Sequence, residues 1–283
     1  MATKTEHETF PLKISPDLSV NAYHIGQDFA GRNLFAVSDE DEVQRIYTEC
    51  QIHFWRDKRS RDYLETSQVH QIIAQQATDY MDGTKKAMGE QLVALIDEAM
   101  AAGKTEFSIL ELGCANGPTL RHLRKTRPDV PIRFYGMELT DILVDDLCAS
   151  FPSATAVTGG ADELMTMSVE DFEGGHFDLF LAVGVLCQMP PQVVGALLRH
   201  VAGLCDDVLI WDYLLNADGR ASPDDAVFFS LNETIPHLLF VNPFNQQFTD
   251  AGFPNLTIMR SPVLDMSQGP GEGAVLARKE GSR

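Results

Sequence analysis

The sequence predicts an α/β fold, in which helices cover both faces of a mostly parallel sheet of seven strands and a helical region precedes that sheet. From Glu106 onward, short apolar runs alternate with segments of helical period, which is typical of a parallel sheet covered on both faces. Residues 178–183 form a continuous apolar run, as expected of a central strand buried on both sides. Between residues 39 and 103, by contrast, apolar residues recur at helical spacing.

These patterns divide the chain into three regions. Residues 1–38 are predicted to be an N-terminal arm, extended or loosely stranded, because prolines and glycines interrupt its short apolar pieces. Residues 39–103 are predicted to form a helical lid. Residues 104–283 are predicted to be the catalytic α/β domain, which carries a helical insert at residues 216–247.

Start and stop signals place three helices in the lid region. The first begins at Ser38, because the four acids that follow it suit the positive end of a helix. A second is predicted from about Asp62 to Met81, and a third from Thr84 to Ala102, where a glycine ends it.

In the α/β domain, glycines and prolines separate the apolar runs from the helical segments. The strands are predicted at 108–112, 132–138, 154–158, 178–183, 208–213, 256–259 and 274–277, the last two forming a closing hairpin. The helices are predicted at 118–124, 140–150, 161–164, 190–203 and, within the insert, 226–240.

Composition narrows the class of partner. The chain has 283 residues, 22 Lys and Arg against 41 Asp and Glu, and a formal net charge of −19, which disfavours a nucleic-acid partner. No apolar run of about 18 residues that could cross a membrane occurs. The five cysteines are odd in number and lack metal-type spacing, which favours reduced thiols in the cytoplasm. We therefore expect a cytoplasmic protein with a small-molecule partner and no metal, and leave a homodimer open.

The first predicted strand, residues 108–112, leads directly into a turn bounded by Gly113 and Gly117. Pro118 follows, and proline suits the first position of a helix because its missing N–H has no partner there anyway. A strand, a tight turn and a helix N-terminus together place several backbone N–H groups in one concave spot. That arrangement is typical of a site for a nucleotide-like ligand.

The spacing of glycines and acids distinguishes between such ligands. A dinucleotide site would have G-x-G-x-x-G, whereas here Ala115 lies between Gly113 and Gly117 and Glu111 precedes the first glycine by two residues. A second acid, Glu138, ends the next strand. Nicotinamide binding is the weaker alternative, because Glu111 has no function beside a pyrophosphate and an obvious one beside an ammonium group.

This acid-x-Gly-x-x-x-Gly turn with its second acid resembles the class I S-adenosylmethionine-dependent methyltransferases over about residues 84–279, although the central glycine of the family motif is Ala115 here. The resemblance implies a Rossmann-like sheet and S-adenosyl-L-methionine as the cofactor. The cofactor-binding residues that it implies are Glu111, Gly113, Cys114, Ala115, Asn116, Gly117, Glu138, Leu139, Ala161, Asp162, Glu163 and Val183.

Within this set, the resemblance implies particular roles. Glu138 would accept both ribose hydroxyls, Asp162 would accept from the adenine amino group with Leu139 against the ring, and Gly113 would let the backbone approach the methionyl part. Simpler alternatives remain open, because Glu138 could cap a helix and Asp162 could be an acid in a helix's first turn.

The catalytic candidates are Gln188, Tyr213 and His237. Many relatives carry a histidine near position 188, where this chain has Cys187 and Gln188. His237 has Glu233 four residues before it in the predicted helical insert, so the pair could act as a base, although a histidine on an apolar helix is more often packed without a catalytic role.

The candidates for binding the acceptor are Arg59, Arg61, Tyr63, Asp212 and Asn232. The two arginines lie in the most basic stretch of an acidic chain, and the planar guanidinium matches a carboxylate in a bidentate manner. A solvated connection between helices is the alternative interpretation of this stretch.

The sequence therefore predicts a methyltransferase that acts on a small-molecule acceptor, with an amino-acid-like substrate and methylation of nitrogen or sulfur slightly favoured. Three alternatives stay open. The first is an O-methyltransferase that uses a base from the insert or the fifth strand; the second is an enzyme that uses S-adenosylmethionine without methylating. The third is a module that binds the cofactor without catalysis.

Overall fold

The computed structural model describes residues 8–15, 17–27, 32–52, 55–56, 85–214, 225–230, 238–260 and 272–281. The strands in this part of the chain are β1 (Phe10–Ser15), β2 (Leu18–Gln27), β3 (Asn33–Val37), β4 (Phe107–Leu112), β5 (Ile132–Glu138), β6 (Thr155–Thr158), β7 (Phe177–Val183), β8 (Cys205–Tyr213), β9 (Ala226–Ser230), β10 (Leu238–Phe240), β11 (Asn255–Arg260) and β12 (Glu272–Arg278). The α-helices are α1 (Glu40–Ile46), α2 (Lys86–Ala101), α3 (Pro118–Thr126), α4 (Asp141–Ser150), α5 (Ala161–Leu164), α6 (Pro191–Val201) and α7 (Phe244–Asp250). A π-helix (Tyr47–Ile52) continues α1, and 3₁₀ turns occur at Val169–Asp171 and Leu186–Gln188.

The larger sheet confirms the predicted α/β fold. Its seven strands have the order β11-β12-β8-β7-β4-β5-β6. Strands β4 to β8 pair in parallel, and β12 pairs antiparallel with both β8 and β11. The chain moves outward from β4 to β6 and then returns to β7 on the other side of β4, so the strand order reverses between β4 and β7. At such a reversal the carboxyl ends of two strands diverge and leave a crevice for a ligand.

Apolar side chains cover both faces of this sheet. On one face α2, α3 and α4 pack through residues such as Leu92, Leu123 and Leu147, all essentially inaccessible. On the other face α6 and α7 pack through residues such as Leu198 and Phe248. Burial on both faces explains why the strands were recognisable as continuous apolar runs.

The other sheet contains strands of the predicted arm and corrects the expectation of a helical insert. Strands β1 to β3, from the predicted arm, join β9 and β10 in a five-stranded sheet of order β1-β2-β3-β9-β10, which we call the roof sheet. The insert at 216–247, predicted to be helical, contributes these two strands and the start of α7, so that prediction is wrong for its described part. The apolar residues of β9 and β10 are consecutive, a pattern that a buried helix and a strand buried on both faces share. Only the partner strand β3, far away in sequence, decides between them.

The helical lid at 39–103 also needs correction. Helix α2 packs against the larger sheet and is part of the α/β domain. Helix α1 and the π-helix precede α2 in the chain. The helix predicted at 62–81 lies outside the described residues. Val43 and Ile46 of α1 pack on one face of the roof sheet.

The opposite face of the roof sheet, its underside, lies at the carboxyl ends of β7 and β8. Apolar residues of the underside cluster with Cys187 in the turn after β7 and with Tyr213 at the end of β8. After β10, the buried Asn242 side chain donates hydrogen bonds to the carbonyls of Leu186 (3.0 Å) and Met189 (3.3 Å). The roof sheet is therefore fixed at the carboxyl ends of β7 and β8, on one side of the crevice that the strand order suggests.

Among the residues that the structure describes, no helix has both the length and the apolar character needed to cross a membrane.

Packing of α1 on the roof sheet gives a first prediction. Ile46 is fully buried between α1 and the roof sheet. Ile46→Ala should therefore lower the free energy of unfolding by about 2–5 kcal/mol, the range for truncating a buried isoleucine to alanine. Its neighbour Arg45 is exposed, and Arg45→Ala should change stability by less than about 0.5 kcal/mol. Urea unfolding of the two variants measures both changes, and equal effects would contradict this packing.

Candidate cofactor and acceptor site

The glycine loop after β4 has the close approaches that its residues require. Gly113 and Gly117 have φ values of +74° and +84°, in the left-handed region that favours glycine. A Cβ atom on Gly113 would lie 2.3 Å from Cγ2 of Val185, so the loop leaves no room for a side chain there. The backbone N–H groups of Gly113 and Cys114 donate to the Met137 carbonyl at 2.7 and 3.1 Å, which fixes the loop against the end of β5.

Ala115 occupies the place of the missing central glycine and keeps a glycine-like conformation. Its φ is +45°, and among the described residues it is the one non-glycine residue with a positive φ. For a residue with a Cβ atom this conformation costs about 1–2 kcal/mol. Its N–H donates to Oε2 of Glu138 at 3.0 Å, so a hydrogen bond helps to hold the strained residue.

Glu111 is the most unusual side chain of the site. It is 1% exposed, and its Oε1 accepts a hydrogen bond of 2.9 Å from the Thr119 hydroxyl on the first turn of α3. Its Oε2 is buried and has no hydrogen-bond partner among the described residues. The Glu111 pKa is raised to about 8, chiefly by burial; the Thr119 hydrogen bond opposes this rise, and the charge of Glu138 adds to it. Among the described residues, no cationic side chain pairs with this carboxyl group, and a buried carboxylate needs such a partner.

Glu138, at the end of β5, holds two backbone groups. Its Oε2 accepts from Ala115 as described, and its Oε1 accepts from the Thr140 N–H at 3.2 Å, at the start of α4. Burial raises the Glu138 pKa, while these backbone donors oppose the rise. The alternative in which Glu138 caps a helix is thus met in part, because Glu138 accepts from an N–H at the start of α4. Each carboxylate oxygen has a second lone pair, so binding of a ribose stays a prediction.

The loop after β6 brings together the residues predicted to surround the adenine. The Leu139 side chain lies 3.0 Å from the point that a Cβ atom of Gly160 would occupy. Glu163 accepts from the Gly160 N–H at 2.8 Å and from Arg56 at 3.2 Å. Asp162 is exposed. Partial desolvation of its carboxyl group and the charge of Glu163 raise its pKa, and the charge of Arg56 opposes the rise.

Tyr47 is a residue of this region that the sequence did not single out. It is 5% exposed and belongs to the π-helix, and its pKa is raised first by burial and then by the charges of Asp162 and Glu163. The sequence showed Tyr47 only as one apolar position in a helical period. A π-helix, which often marks functional sites, leaves no such periodic signal.

Other predicted cofactor residues turn their side chains toward the scaffold. Asn116 is fully buried and donates to Asp146 of α4 at 2.9 Å. The buried Cys114 thiol lies against Gly136 of β5, where an added Cβ atom would be 2.6 Å from the sulfur. Val183 is buried at the end of β7, and Ala161 is buried in α5. For these residues, contact with a cofactor stays a prediction.

Among the residues predicted to bind the acceptor, Asp212 links two strand ends. It is 1% exposed, and its Oδ2 accepts from the Cys187 N–H at 2.9 Å while its Oδ1 accepts from the Tyr213 N–H at 2.7 Å. The half-buried Gln188 side chain donates to the Cys187 sulfur at 3.8 Å. Tyr213 contacts Phe229 of the roof sheet edge to face, with ring centroids 5.9 Å apart.

Five predicted site residues lie outside the described residues: Arg59, Arg61, Tyr63, Asn232 and His237. Within the part of the chain that is described, no group of three or more His, Cys, Asp or Glu side chains could hold a metal ion.

No family model and no curated protein matches the chain. Solved structures do match, and several of them are methyltransferases. Magnesium protoporphyrin IX methyltransferase from Synechocystis, with SAM bound, has 13% identity and a TM-score of 0.46, and the match covers 83% of this chain and 97% of that one. A TehB-like SAM-dependent methyltransferase from Corynebacterium glutamicum has 18% identity and a TM-score of 0.41, with 69% and 100% covered.

Human N-acetylserotonin methyltransferase in complex with SAM has 16% identity and a TM-score of 0.42, with 61% of this chain and 47% of that one covered. At identities and TM-scores this low, the function has to be inferred from the residues of the site itself.

Strain at Ala115 gives a prediction about stability. Ala115→Gly should remove the cost of the positive φ, and the added freedom of the unfolded chain should offset part of that gain. We expect a net rise of about 1 kcal/mol, which for a chain of this size raises Tm by about 2–4 °C. Gly113→Ala is the matched opposite, because its new methyl would collide with Val185, and it should lower Tm. Calorimetric melting checks both; a lower Tm for Ala115→Gly would contradict the strain.

Burial of Glu111 gives a prediction about pH. The folded protein holds the Glu111 proton up to pH about 8, whereas the unfolded chain loses it near its ordinary value of 4.5. Stability is therefore lost as pH rises between these values. Glu111→Gln keeps a neutral side chain at every pH, so its Tm should exceed that of the wild type by an amount that grows from pH 5 to pH 8 and then levels off. Melting of both ligand-free proteins across this range measures the difference, and a constant difference would refute the raised pKa.

Proposed function

We propose that this protein is an S-adenosylmethionine-dependent methyltransferase that acts on a small-molecule acceptor. The observation that carries the proposal is the buried Oε2 atom of Glu111, which lacks a partner among the described residues beside the glycine loop. The ammonium group of the methionyl part of S-adenosylmethionine supplies the cation that such a carboxylate needs. A dinucleotide pyrophosphate, being anionic, would be repelled at the same place.

The other residues of the crevice fit the same cofactor. Glu138 has lone pairs for ribose hydroxyls beyond those used by the backbone. Leu139 and Gly160 lie against each other with Asp162 nearby, which suits an apolar adenine ring with a polar edge. This fit supports the assignment of the cofactor, and the residues that would hold it are those that the resemblance implies.

When bound, S-adenosylmethionine supplies an activated methyl group, so the chain mainly has to align the acceptor and exclude water. The underside of the roof sheet, packed on the ends of β7 and β8, would exclude water from the acceptor. We assign the orientation of the acceptor to Gln188 and Tyr213, since both lie at those strand ends. These are the steps that we assign to residues of this chain.

Nitrogen or sulfur is the favoured methyl acceptor, because such an atom can offer a lone pair without a base. The Asp212 carboxylate, the candidate base of the fifth parallel strand, already accepts from two backbone N–H groups. An O-methyltransferase that uses His237 remains the alternative, with His237 outside the described residues. Base assistance is worth about 10²–10⁴ in rate, so His237→Ala would separate the two by its effect on kcat.

Proton release tests the proposed cofactor. At pH 7 the ligand-free Glu111 is mostly protonated, because its pKa is about 8. An ammonium group beside it should lower that pKa below 7, so that binding of S-adenosylhomocysteine releases about 0.5–1 proton. Calorimetric titration in two buffers with different ionisation enthalpies measures this number.

Glu111→Gln is the matched control, because it preserves the shape of the side chain and has no proton to lose. It should bind S-adenosylhomocysteine more weakly and release no proton. Tight binding of NADH by the wild type, together with no heat from S-adenosylhomocysteine, would reject the proposed function.

A further inference from the structure

The Thr119 side chain joins the first turn of α3 to the Glu111 carboxyl group. Like Glu111 it is buried, and its hydroxyl donates to Oε1 of Glu111 at 2.9 Å. A threonine hydroxyl in a helix commonly donates to a backbone carbonyl of the preceding turn, as Thr126 of α3 does to His122 at 2.9 Å. Thr119 instead donates to a side chain of β4, and its hydroxyl has no other hydrogen-bond partner among the described residues.

This hydrogen bond determines which Glu111 oxygen carries the proton when the carboxyl group is neutral. A hydroxyl has one hydrogen, and the hydrogen of Thr119 is used on Oε1, which is therefore the acceptor. The proton of neutral Glu111 then lies on Oε2, the buried oxygen without a partner among the described residues. Oε2 is also the atom to which we assign the ammonium group of the cofactor. The proton of the ligand-free protein and the ammonium group of the cofactor therefore occupy the same side of one atom.

The groups around Glu111 oppose its charge, with the exception of Thr119. In the sheet Glu111 lies opposite a glycine of β5 and a leucine of β7, which have no polar side chain. The titratable groups that act on it or are acted on by it are Glu138, at the end of β5, and the Cys114 thiol in the glycine loop. Neither is a cation. The Thr119 hydrogen bond, by contrast, lowers the Glu111 pKa and so favours the charged form.

We propose that Thr119 is a positioning residue for cofactor recognition, because its hydroxyl holds Oε1 of Glu111, leaves Oε2 for the ammonium group and stabilises the charge that this group requires. Thr119 itself does not contact the cofactor, since its hydroxyl is used on Glu111. The inference rests on the proposed function and adds a residue to the recognition of the methionyl part. Glu111 is mostly protonated without cofactor and charged with it, so loss of the hydroxyl should weaken the complex more than the ligand-free protein.

Two ligands test this proposal on the full chain: S-adenosylhomocysteine and its deamino analogue, in which a hydrogen atom replaces the amino group. Only the first has an ammonium group for Glu111, so at pH 7 the wild type should bind it about tenfold or more tightly than the analogue. Titration calorimetry measures both dissociation constants. Their ratio, which we call the ammonium preference, reports on recognition by Glu111, whereas a general disturbance of the site weakens both ligands alike.

Loss of the Thr119 hydroxyl should lower the ammonium preference. Thr119→Val keeps the shape of the side chain and should lower the preference about fivefold, because a hydrogen bond to a charged acceptor is about twice as strong as one to a neutral acceptor. Thr119→Ser should keep the preference within about twofold of the wild type, and Thr119→Ala, which differs from it only by the hydroxyl, should lower it. This second pair decides the matter if Thr119→Val does not fold. The control is Thr126→Val, which removes a hydroxyl from the other end of α3 and should leave the preference unchanged.

Two further measurements separate action through Glu111 from a structural role. In the Glu111→Gln background the side chain is neutral, so the preference should be small and Thr119→Val should change it by less than about twofold. In the ligand-free protein, loss of the donor should raise the Glu111 pKa above its value of about 8. The Tm difference between Thr119→Val and the double variant with Glu111→Gln should therefore level off at a higher pH than the difference between the wild type and Glu111→Gln.

Four results would overturn the proposal. The first is that Thr119→Val and Thr119→Ala keep the wild-type preference, and the second is that they weaken both ligands equally. The third is that Thr119→Val lowers the preference as much in the Glu111→Gln background as in the wild type. The fourth is that the wild type binds both ligands equally well, since Glu111 then does not recognise the ammonium group. A wild type that binds neither ligand would show that the proposed function itself is wrong, which is recognised before any variant is compared.

Discussion

The hydrogen bond between Glu111 and Thr119 is the interaction on which the glycine loop depends. It links the end of β4 to the first turn of α3 across the glycine loop, at 2.9 Å and out of contact with water. The chain must therefore reverse within a few residues, which explains the left-handed conformations at Gly113, Ala115 and Gly117. The same closure buries the second Glu111 oxygen. The hydrogen bond to Thr119 thus accounts both for the tight turn of the loop and for the buried Glu111 oxygen that needs a cation.

The larger sheet was predictable because its signals are local. Each parallel strand is an apolar run, each helix has its own period, and the loop at Gly113 and Gly117 requires residues without side chains. Leu139 and the residues after β6 also come together as expected, since carboxyl ends of neighbouring parallel strands share one edge of the sheet. For these elements, sequence order alone determines which residues meet.

The roof sheet was not predictable in this way, because its pairing joins segments far apart in the chain. Phe35 of β3 lies opposite Phe228 of β9, and no local pattern in either segment identifies the other. The left-handed φ of Ala115 is also invisible in sequence, since alanine usually avoids it. Tyr47 was not singled out because in the sequence it is one apolar position of a helical period, and the π-helix that begins there has no signal of its own.

The roof sheet and Asp212 together limit the chemistry that the acceptor side can perform. Asp212 holds the backbone of Cys187 and Tyr213, and so joins the turn after β7 to the end of β8, where the underside packs. If this carboxylate took a proton from an acceptor, its hydrogen bonds to both N–H groups would weaken, and the packing of the underside on these strand ends would loosen. Asp212 is therefore better suited to positioning than to proton transfer. An acceptor atom that already carries an available lone pair does not require Asp212 to take up a proton.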